Sequence, residues 1–309
     1  MKWDKKGFVF GPDKSLSWAL NSALTPTPLL IENDTIRVYA GFRDVNGVSR
    51  IGYVDLDGSN PKVIKSVSKE PVLDVGKPGA FDDNGVILGD VIRVGEEIWM
   101  YYVGFQLVDK VKFLAFSGLA ISKDGGVSFQ RYSDAPIMDR SSNGLYIRAI
   151  HSVVQDGDRF RVWYAIGNGW QELQGKFYPK YHIMHIESSD GVNFDGEGVL
   201  CVDVHDFEYR IGRPRVFKQG NGYCMHYTRG TTQGDYLAGY AESSDGISWV
   251  RRDSELGISL SEHGWDSRHL CYPAIVNSGS ETYMFYNGND MGYAGFGYAC
   301  LSKNIKICT

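Results

Sequence analysis

Four acidic residues stand in comparable surroundings at widely separated points of the chain: Asp82, Asp90, Glu208 and Asp266. Cleavage or transfer of a glycosyl group needs two carboxyl groups, one that protonates the leaving oxygen and one that acts as base or nucleophile. We predict that these residues supply them, with Asp90 or Asp82 as base or nucleophile and Glu208 as the acid. The separation of the two groups would decide between retention and inversion.

Each carboxylate also has a structural interpretation. Asp82 and Asp266 could cap the turns that enter a strand, because aspartate readily bonds neighbouring backbone amides. Glu208 could form a salt bridge with Arg210 or Arg213, and Asp90 could hydrogen-bond adjacent strands. Replacement separates the two interpretations, because a structural carboxylate affects folding alone, whereas a catalytic one affects turnover in an intact fold.

Seven further residues are candidates for substrate binding: Arg43, Arg148, His151, Trp170, Arg213, His269 and Tyr272. The basic side chains would orient hydroxyl, phosphate or carboxylate groups, and the indole of Trp170 would stack on a sugar ring. Structural alternatives stand beside these roles. Arg43 could pair with Asp44 in a solvated loop, and Trp170 could simply close over the strands beneath it.

An internal repeat predicts the elements that position these residues. A β-rich run that ends in an aromatic residue and is closely followed by glycine recurs five times. Its tyrosine markers are Tyr39, Tyr102, Tyr164, Tyr227 and Tyr286. The markers are spaced by 63, 62, 63 and 59 residues, so five units fill the 309 residues of the chain.

Each unit is predicted to contain four antiparallel strands. Asp-Gly pairs at Asp124-Gly125, Asp190-Gly191 and Asp245-Gly246 follow strand-like segments between the markers. Asp-Gly after such a segment is a strong hairpin signal, because the turn needs positive φ. Four antiparallel strands repeated radially form a propeller blade. The sequence therefore predicts an all-β chain that folds as a single five-bladed β-propeller domain over residues 1–309.

The innermost strand of each blade would line a central channel. Counting back 13 positions from each marker aligns Pro26, Gly89, His151, Pro214 and Pro273. Proline or glycine here would interrupt strand pairing where the inner strands crowd the axis. His151 departs from that pattern, which favours a functional role for it. The acidic candidates flank this column in the second, fourth and fifth units and are predicted to converge on one funnel.

Composition and charge exclude several classes of protein. Apolar residues make up 43% and charged residues 22% of the chain, as in a globular protein with a sizeable core. A net charge of −5 argues against binding of nucleic acid or of an anionic membrane. No apolar run is long enough to span a bilayer. The first residues show no secretory leader, so a cytoplasmic location is expected.

Motifs for metals and organic cofactors are missing from the sequence. The five cysteines are widely spaced, which predicts neither a disulfide framework nor a zinc site. His182 and His185 lie three apart in a predicted strand and would face opposite sides, so no metal pair is expected. Phosphate-binding and dinucleotide-binding fingerprints are absent. The partner expected is a saccharide or glycoconjugate, and the oligomeric state is left open.

The repeat resembles the blades of the furanosidase-like propeller superfamily of arabinanases, arabinofuranosidases, invertases, levansucrases and mannoside phosphorylases. The resemblance covers the whole chain and is carried by the phrases Met100-Tyr101-Tyr102-Val103-Gly104 and Tyr283-Met284-Phe285-Tyr286-Asn287-Gly288, and by the Asp-Gly hairpins. It implies acids from different blades that meet in the channel, and it allows a channel cation such as calcium, although no oxygen-ligand loop is visible. The Trp265-Asp266-Ser267 phrase is similar to one that carries an essential aspartate in levansucrase-type members.

The same resemblance implies an acid directly before the inner-strand proline. The corresponding residues here are Thr25, Leu88, Ile150, Arg213 and Tyr272, none of them acidic. Two alternatives to a glycosidase of this type therefore remain. A sialidase-type propeller would agree with the Asp-Gly hairpins but would need about 370 residues for six units of this period. A non-catalytic carbohydrate-binding or scaffold propeller needs no acid in the channel.

Overall fold

The structure, a computed structural model, describes residues 1–32 and 34–302. Regular structure in this part of the chain is almost entirely β, so the predicted all-β class is confirmed. The exceptions are a short 3₁₀ turn at Asp253–Glu255 and a four-residue helix, α1, at Asn289–Gly292. Cys308, one of the five cysteines, lies outside the described residues. No described helix has the length and apolarity needed to cross a membrane.

The strands pair antiparallel in five sets. Set 1 contains β2 (Asn21–Ile31), β3 (Thr35–Arg43), β4 (Ser49–Asp57) and β5 (Ile64–Val67). Set 2 contains β6 (Val86–Val94), β7 (Glu97–Gln106), β8 (Leu114–Ser122) and β9 (Gln130–Arg131). Set 3 contains β10 (Ile147–Asp156), β11 (Arg159–Leu173), β12 (Lys176–Ser188) and β13 (Val199–Val202).

Set 4 contains β14 (Glu208–Gln219), β15 (Gly222–Thr231), β16 (Tyr236–Ser243) and β17 (Val250–Arg251). Set 5 contains β18 (His269–Ser278), β19 (Glu281–Asn287), β20 (Phe296–Leu301) and, from the other end of the chain, β1 (Trp3–Phe10). Short parallel contacts join sets 2 to 5 into one large sheet, whereas set 1 forms a sheet of its own.

The first strands of the five sets touch one another in order. β2 contacts β6, β6 contacts β10, β10 contacts β14, β14 contacts β18, and β18 contacts β2. Five hydrophobic clusters lie between successive sets, including one between set 5 and set 1. Apolar side chains on both faces of each set are thus removed from water.

The marker tyrosines lie within these clusters. All five side chains are fully buried. Their hydroxyls donate to acceptors contributed by loops: Tyr39 to the Gly126 carbonyl (2.9 Å), for example, and Tyr286 to the Asp266 carboxylate (3.0 Å). A buried phenol normally needs such an acceptor. The repeat that reveals the fold is therefore made of packing residues, and the predicted hairpin glycines Gly125, Gly191 and Gly246 all have positive φ.

One core histidine has no polar partner. His226 in β15 is completely buried, and neither ring nitrogen makes a hydrogen bond within the described structure. Its ring stacks on Phe217, with the centroids 5.6 Å apart and the planes inclined by 14°, and meets the edge of Trp3 at 6.3 Å. Burial in this apolar environment lowers the pKa of His226 to about 3.

This histidine is expected to make the fold acid-sensitive. An unfolded histidine has a pKa of about 6.5, whereas that of folded His226 is about 3. Between pH 6.5 and about 3, therefore, His226 is protonated in the unfolded chain and neutral in the folded chain. The free energy of unfolding should fall by about 1.4 kcal/mol between pH 7.5 and 5.5 through this residue alone. His226→Phe should remove that part of the loss, as measured by urea unfolding at both pH values. His263→Gln, at an exposed position, is the control. Identical pH dependence of wild type and His226→Phe would contradict the expectation.

Candidate functional site

A bulge interrupts every first strand at the aligned column predicted from the sequence. The pairing register shifts around Pro26, Gly89, His151, Pro214 and Pro273. In three of the five strands the preceding residue adopts a left-handed conformation, with φ of 53° at Thr25, 56° at Arg213 and 55° at Tyr272. Non-glycine residues in this region are strained by about 1–3 kcal/mol, and such strain clusters at functional sites. Thr25 and Tyr272, two of these strained residues, line the cavity described next.

A cavity of about 380 Å³ opens among the first strands and is called the central cavity below. Every set contributes to it, and the first strands alone supply Leu24, Thr25, Ile87, Ile147, Ala149, His151, Arg210 and Tyr272. The remaining polar and aromatic lining comes from second and third strands and from loops: Arg43, Ser49, Asn84, Phe105, Lys112, Phe113, Phe177, Tyr178, Tyr181 and Tyr236. Its size lies in the range of small-molecule sites, about 300–1,000 Å³.

The charge of this lining is one-sided. Arg43, Lys112 and Arg210 line the central cavity, together with seven aromatic rings, and the described lining residues include no aspartate or glutamate. Burial raises the pKa of Tyr236 and of Tyr272, so both phenols stay protonated at neutral pH. The Tyr236 hydroxyl donates to that of Tyr272 at 3.1 Å. The cavity thus offers cations, hydroxyls and ring faces.

Arg213 in β14 does not line the central cavity, and its side chain reaches two other sets. From β14 its guanidinium donates to the carbonyls of Leu88 and Gly89, to Thr27 Oγ1 at 3.0 Å and to the Thr25 carbonyl at 3.3 Å. These acceptors belong to β2 and β6, so the side chain crosses from set 4 to sets 1 and 2. The predicted substrate-binding role is corrected here, because the protein itself occupies the guanidinium.

His151 lines the central cavity and contacts the backbone of Arg213. Its Nδ1 accepts a hydrogen bond from the Arg213 amide at 3.2 Å. Burial and the neighbouring charge of Arg213 lower the pKa of His151 well below its usual range, so the ring is neutral. A neutral ring that accepts at Nδ1 carries its proton on Nε2. His151 can therefore donate one hydrogen bond to a ligand.

Two of the predicted catalytic carboxylates, Asp82 and Asp90, join neighbouring parts of the fold. Asp82 is fully buried and accepts from Arg131 Nε (2.8 Å) and the Tyr102 hydroxyl (3.1 Å). Asp90 accepts from the Val91 and Val153 amides, both at 2.7 Å, and forms an ion pair with Arg215. Neither lines the central cavity.

The other two carboxylates are held in the same way. Glu208 accepts from both terminal nitrogens of Arg251 (2.8 and 2.7 Å) and from Arg229 (3.2 Å). Burial would raise the pKa of Glu208, but these hydrogen bonds keep it below its usual range. Asp266 pairs with Lys5 Nζ at 2.7 Å. The predicted convergence of the four acids on one open funnel is thus corrected, because each is buried beside its own basic partner.

The remaining substrate-binding candidates divide into two groups. Arg43, His151 and Tyr272 line the central cavity. Three others do not: Arg148, Trp170 and His269. Arg148 donates to the Asp139 and Gly196 carbonyls, Trp170 packs behind Phe113 at 5.2 Å, and His269 accepts from the Asp290 amide. These contacts stabilise loops and the walls of the cavity.

Most lining residues were absent from the predicted site, among them the basic and tyrosine side chains Lys112, Tyr178, Tyr181, Arg210 and Tyr236. Tyr178 and Tyr181 come from an extension of the β11–β12 hairpin. Arg210 was expected to pair with Glu208, but its guanidinium lies over the rings of Tyr236 (4.4 Å), Tyr209 (5.0 Å) and Tyr178 (5.7 Å). The tyrosines at positions 178 and 181 had suggested, beside Trp170, either stacking on sugar rings or packing over the strands.

Metal binding finds no support in the arrangement of side chains. Among residues 1–32 and 34–302, no group of three or more histidines, cysteines, aspartates or glutamates is placed to hold an ion. The cations of the central cavity would also repel a metal.

Sequence comparison relates the chain to two mycobacterial proteins. No protein-family model matches. Over 305 residues the chain is 32% identical to the uncharacterized protein Rv1502 of Mycobacterium tuberculosis strain H37Rv, covering 98% of this chain and 100% of that protein. The uncharacterized protein MT1551 of M. tuberculosis strain CDC 1551 matches equally well.

Structural comparison relates the chain to glycoside hydrolases. One glycoside hydrolase superposes with a TM-score of 0.75 at 16% identity, covering 99% of this chain and 93% of the other. A structure from the GH130 family of mannoside phosphorylases, which contains glycoside hydrolases, superposes with a TM-score of 0.70 at 14% identity. The match covers 98% of this chain and 94% of the other. A thermostable family-43 glycoside hydrolase superposes with a TM-score of 0.67 at 17% identity, covering 92% of each chain. At these identities the likeness is one of fold, and the predicted resemblance to furanosidase-like propellers is confirmed at that level.

Proposed function

The chain belongs to one family with the mycobacterial protein Rv1502, and from its glycosidase fold we propose that it recognises a saccharide in the central cavity. Ligands of propeller proteins are bound by loops and strand ends that meet at one place, and the central cavity is such a place. All five sets of strands contribute side chains to it.

In this proposal the five antiparallel sets are five blades around one axis. Two observations support it. The first strands touch in the cyclic order β2, β6, β10, β14, β18 and again β2. β1 completes set 5 by pairing with β20, which joins the two ends of the described chain within one set. The central cavity then lies on the axis, where side chains from different blades can reach one ligand.

The aromatic lining of the central cavity is the observation that carries the proposal. Phe177, Tyr178 and Tyr181 project from the β11–β12 extension, and Tyr236 and Tyr272 come from sets 4 and 5. Ring faces stack on the apolar faces of sugar rings, while phenol and imidazole protons bond to sugar hydroxyls. This combination suits a saccharide better than an apolar ligand, whose burial would leave the polar groups unpaired.

We propose binding without two-carboxylate hydrolysis. Thr25, Arg213 and Tyr272 adopt strained conformations at the bulges, and they stand where the resemblance implies an acid. Acid–base hydrolysis of a glycosidic bond needs two carboxyl groups within about 10 Å of each other beside the substrate. The described lining of the cavity supplies none.

Glycosyl hydrolysis or transfer is the second candidate function, and the fold of the structural neighbours favours it. Asp90 is the carboxylate to consider, because it lies on a first strand and next to the bulge of β6. Turnover of nitrophenyl furanosides and pyranosides, with and without phosphate, separates the candidates. The proposal of binding alone predicts no release of nitrophenol and retained affinity for saccharides.

Phe177→Ala is the variant that tests saccharide binding. Phe177 lines the central cavity but is 55% exposed, so its removal should leave the fold intact. We expect affinity for a bound saccharide, measured by calorimetry, to fall about tenfold, because a stacking ring contributes about 1 kcal/mol or more. Tyr132→Ala removes an equally exposed ring outside the lining and should change nothing. Equal affinities of both variants for every sugar tested would overturn the proposal.

A further inference from the structure

We infer that the saccharide of the central cavity carries an oxyanion (a carboxylate, phosphate or sulfate group) and that Arg210 binds it. This inference rests on the proposed function and specifies its ligand class. Three observations carry it: the missing anionic partner of Arg210, the charge of the surrounding lining, and the contrast with the ion-paired Arg37 and Arg131.

Arg210 has no anionic partner within the described structure. Its guanidinium makes no ion pair there, Nε is buried and unpaired, and its side-chain hydrogen-bond partner is the neutral phenol of Tyr209. Tyr236, Tyr209 and Tyr178 surround it with ring faces at 4.4 to 5.7 Å. Cation–π contacts stabilise the charge but accept none of its five N–H donors. A ligand oxyanion would supply two acceptors in the fork geometry that a guanidinium prefers.

Several other arginines of this protein form ion pairs, whereas the buried Arg148 and Arg213 are held by backbone carbonyls. Arg37 forms an ion pair with Asp55 at 2.7 Å, and Arg131 forms one with Asp82 at 2.8 Å. Their carboxylates satisfy charge and donors together, as burial of a cation requires. Arg210 and Arg43 line the cavity without such a carboxylate in the described structure, which supports a counter-ion from outside the chain.

The rest of the lining strengthens the local field. Arg43 and Lys112 face the same cavity from sets 1 and 2, and Arg43 Nε is also buried without a partner. No carboxylate in the described lining offsets them. The chain as a whole has a net charge of −5, so this concentration of cations is local. A low-dielectric cavity lined by one sign of charge attracts the opposite ion.

Matched pairs of sugars test the inference. Glucose, glucuronate and glucose 6-phosphate, and galactose and galacturonate, are titrated by calorimetry at low and high salt, with inorganic phosphate and sulfate as sugar-free probes. We expect each anionic sugar to bind at least about tenfold more tightly than its neutral parent, because charge-assisted hydrogen bonds are the stronger class. The advantage should shrink as salt rises.

Three variants assign the effect to the cavity. Arg210→Gln should weaken binding of the anionic sugars about 10- to 100-fold and leave the neutral parents within about twofold. Lys112→Gln changes an exposed lining residue, cannot disturb the core, and should weaken anionic sugars about two- to fivefold. Arg93→Gln makes the same chemical change as Arg210→Gln at an exposed position near the far end of β6 and should have no effect. Thermal melting of each variant reports on folding.

The outcomes separate the inference from the proposed function. Equal affinity for neutral and anionic sugars would overturn the inference and leave saccharide binding standing. The same conclusion would follow if folded Arg210→Gln and Lys112→Gln both bound anionic sugars as tightly as the wild type. Failure of every sugar to bind would overturn both. Inorganic phosphate that binds as tightly as glucose 6-phosphate would support an oxyanion site and overturn saccharide recognition.

Discussion

Arg213→Ala is expected to lower the free energy of unfolding by about 4 kcal/mol. The guanidinium is buried and donates to three backbone carbonyls and one hydroxyl across the centre of the fold. Truncation removes the Arg213 donor from the carbonyls of Leu88 and Gly89 and leaves the Thr25 carbonyl with the Thr27 hydroxyl alone, at about 1 kcal/mol or more for each lost bond. The space vacated by the side chain adds a packing loss.

Lysine at the same position should recover only part of this loss. A single ammonium group cannot reach acceptors on both β2 and β6 as the planar fork of Arg213 does, so we expect Arg213→Lys to lose about 2 kcal/mol. Urea unfolding measures both variants against Arg93→Ala, an exposed arginine whose removal should cost less than about 0.5 kcal/mol. A stable Arg213→Ala that no longer binds saccharide would instead restore the substrate-binding role first predicted for Arg213.

The repeat was predictable because it is local. Each marker tyrosine lies in a short β-rich run followed by glycine, and each Asp-Gly hairpin is contained within a few residues. The aligned column was also visible, since proline or glycine in four of five units indicates that strand pairing is disturbed there. The structure adds a bulge at every one of these positions, including His151, where the residue type gave no such signal.

The roles of the acids were not predictable, because their partners are remote in sequence. Asp266 pairs with Lys5, 261 residues away, and Asp82 pairs with Arg131, 49 residues away. Spacing along the chain places an acid near the end of a strand, but it does not reveal which base folds against it. Arg210 illustrates the converse. Its neighbour Glu208 suggested a local ion pair. Glu208 instead pairs with Arg251, and Arg210 lines the central cavity.

Asp90 provides the sharpest test between a structural and a catalytic carboxylate. It joins three sets: from β6 it accepts the Val153 amide of β10 and the guanidinium of Arg215 in β14. Its side chain is 4% exposed and that of Arg215 is 13% exposed. Removal of one member of a buried pair leaves the other charge uncompensated, which typically costs about 3–5 kcal/mol. We therefore expect Asp90→Ala to lose about 3 kcal/mol of unfolding free energy and Asp90→Asn somewhat less.

A double-mutant cycle shows whether the ion pair causes that loss. Asp90→Asn with Arg215→Met removes both charges, so the double variant should lose less stability than the sum of the single variants, by about 1 kcal/mol or more. Asp134→Asn breaks an exposed pair with Lys77 and should change the unfolding free energy by less than about 0.5 kcal/mol. If the wild-type protein hydrolysed a glycoside and Asp90→Asn kept wild-type stability but lost that activity, Asp90 would be the base or nucleophile first predicted. Buried between two amides and a guanidinium, it is expected to stabilise the junction of three sets of strands instead.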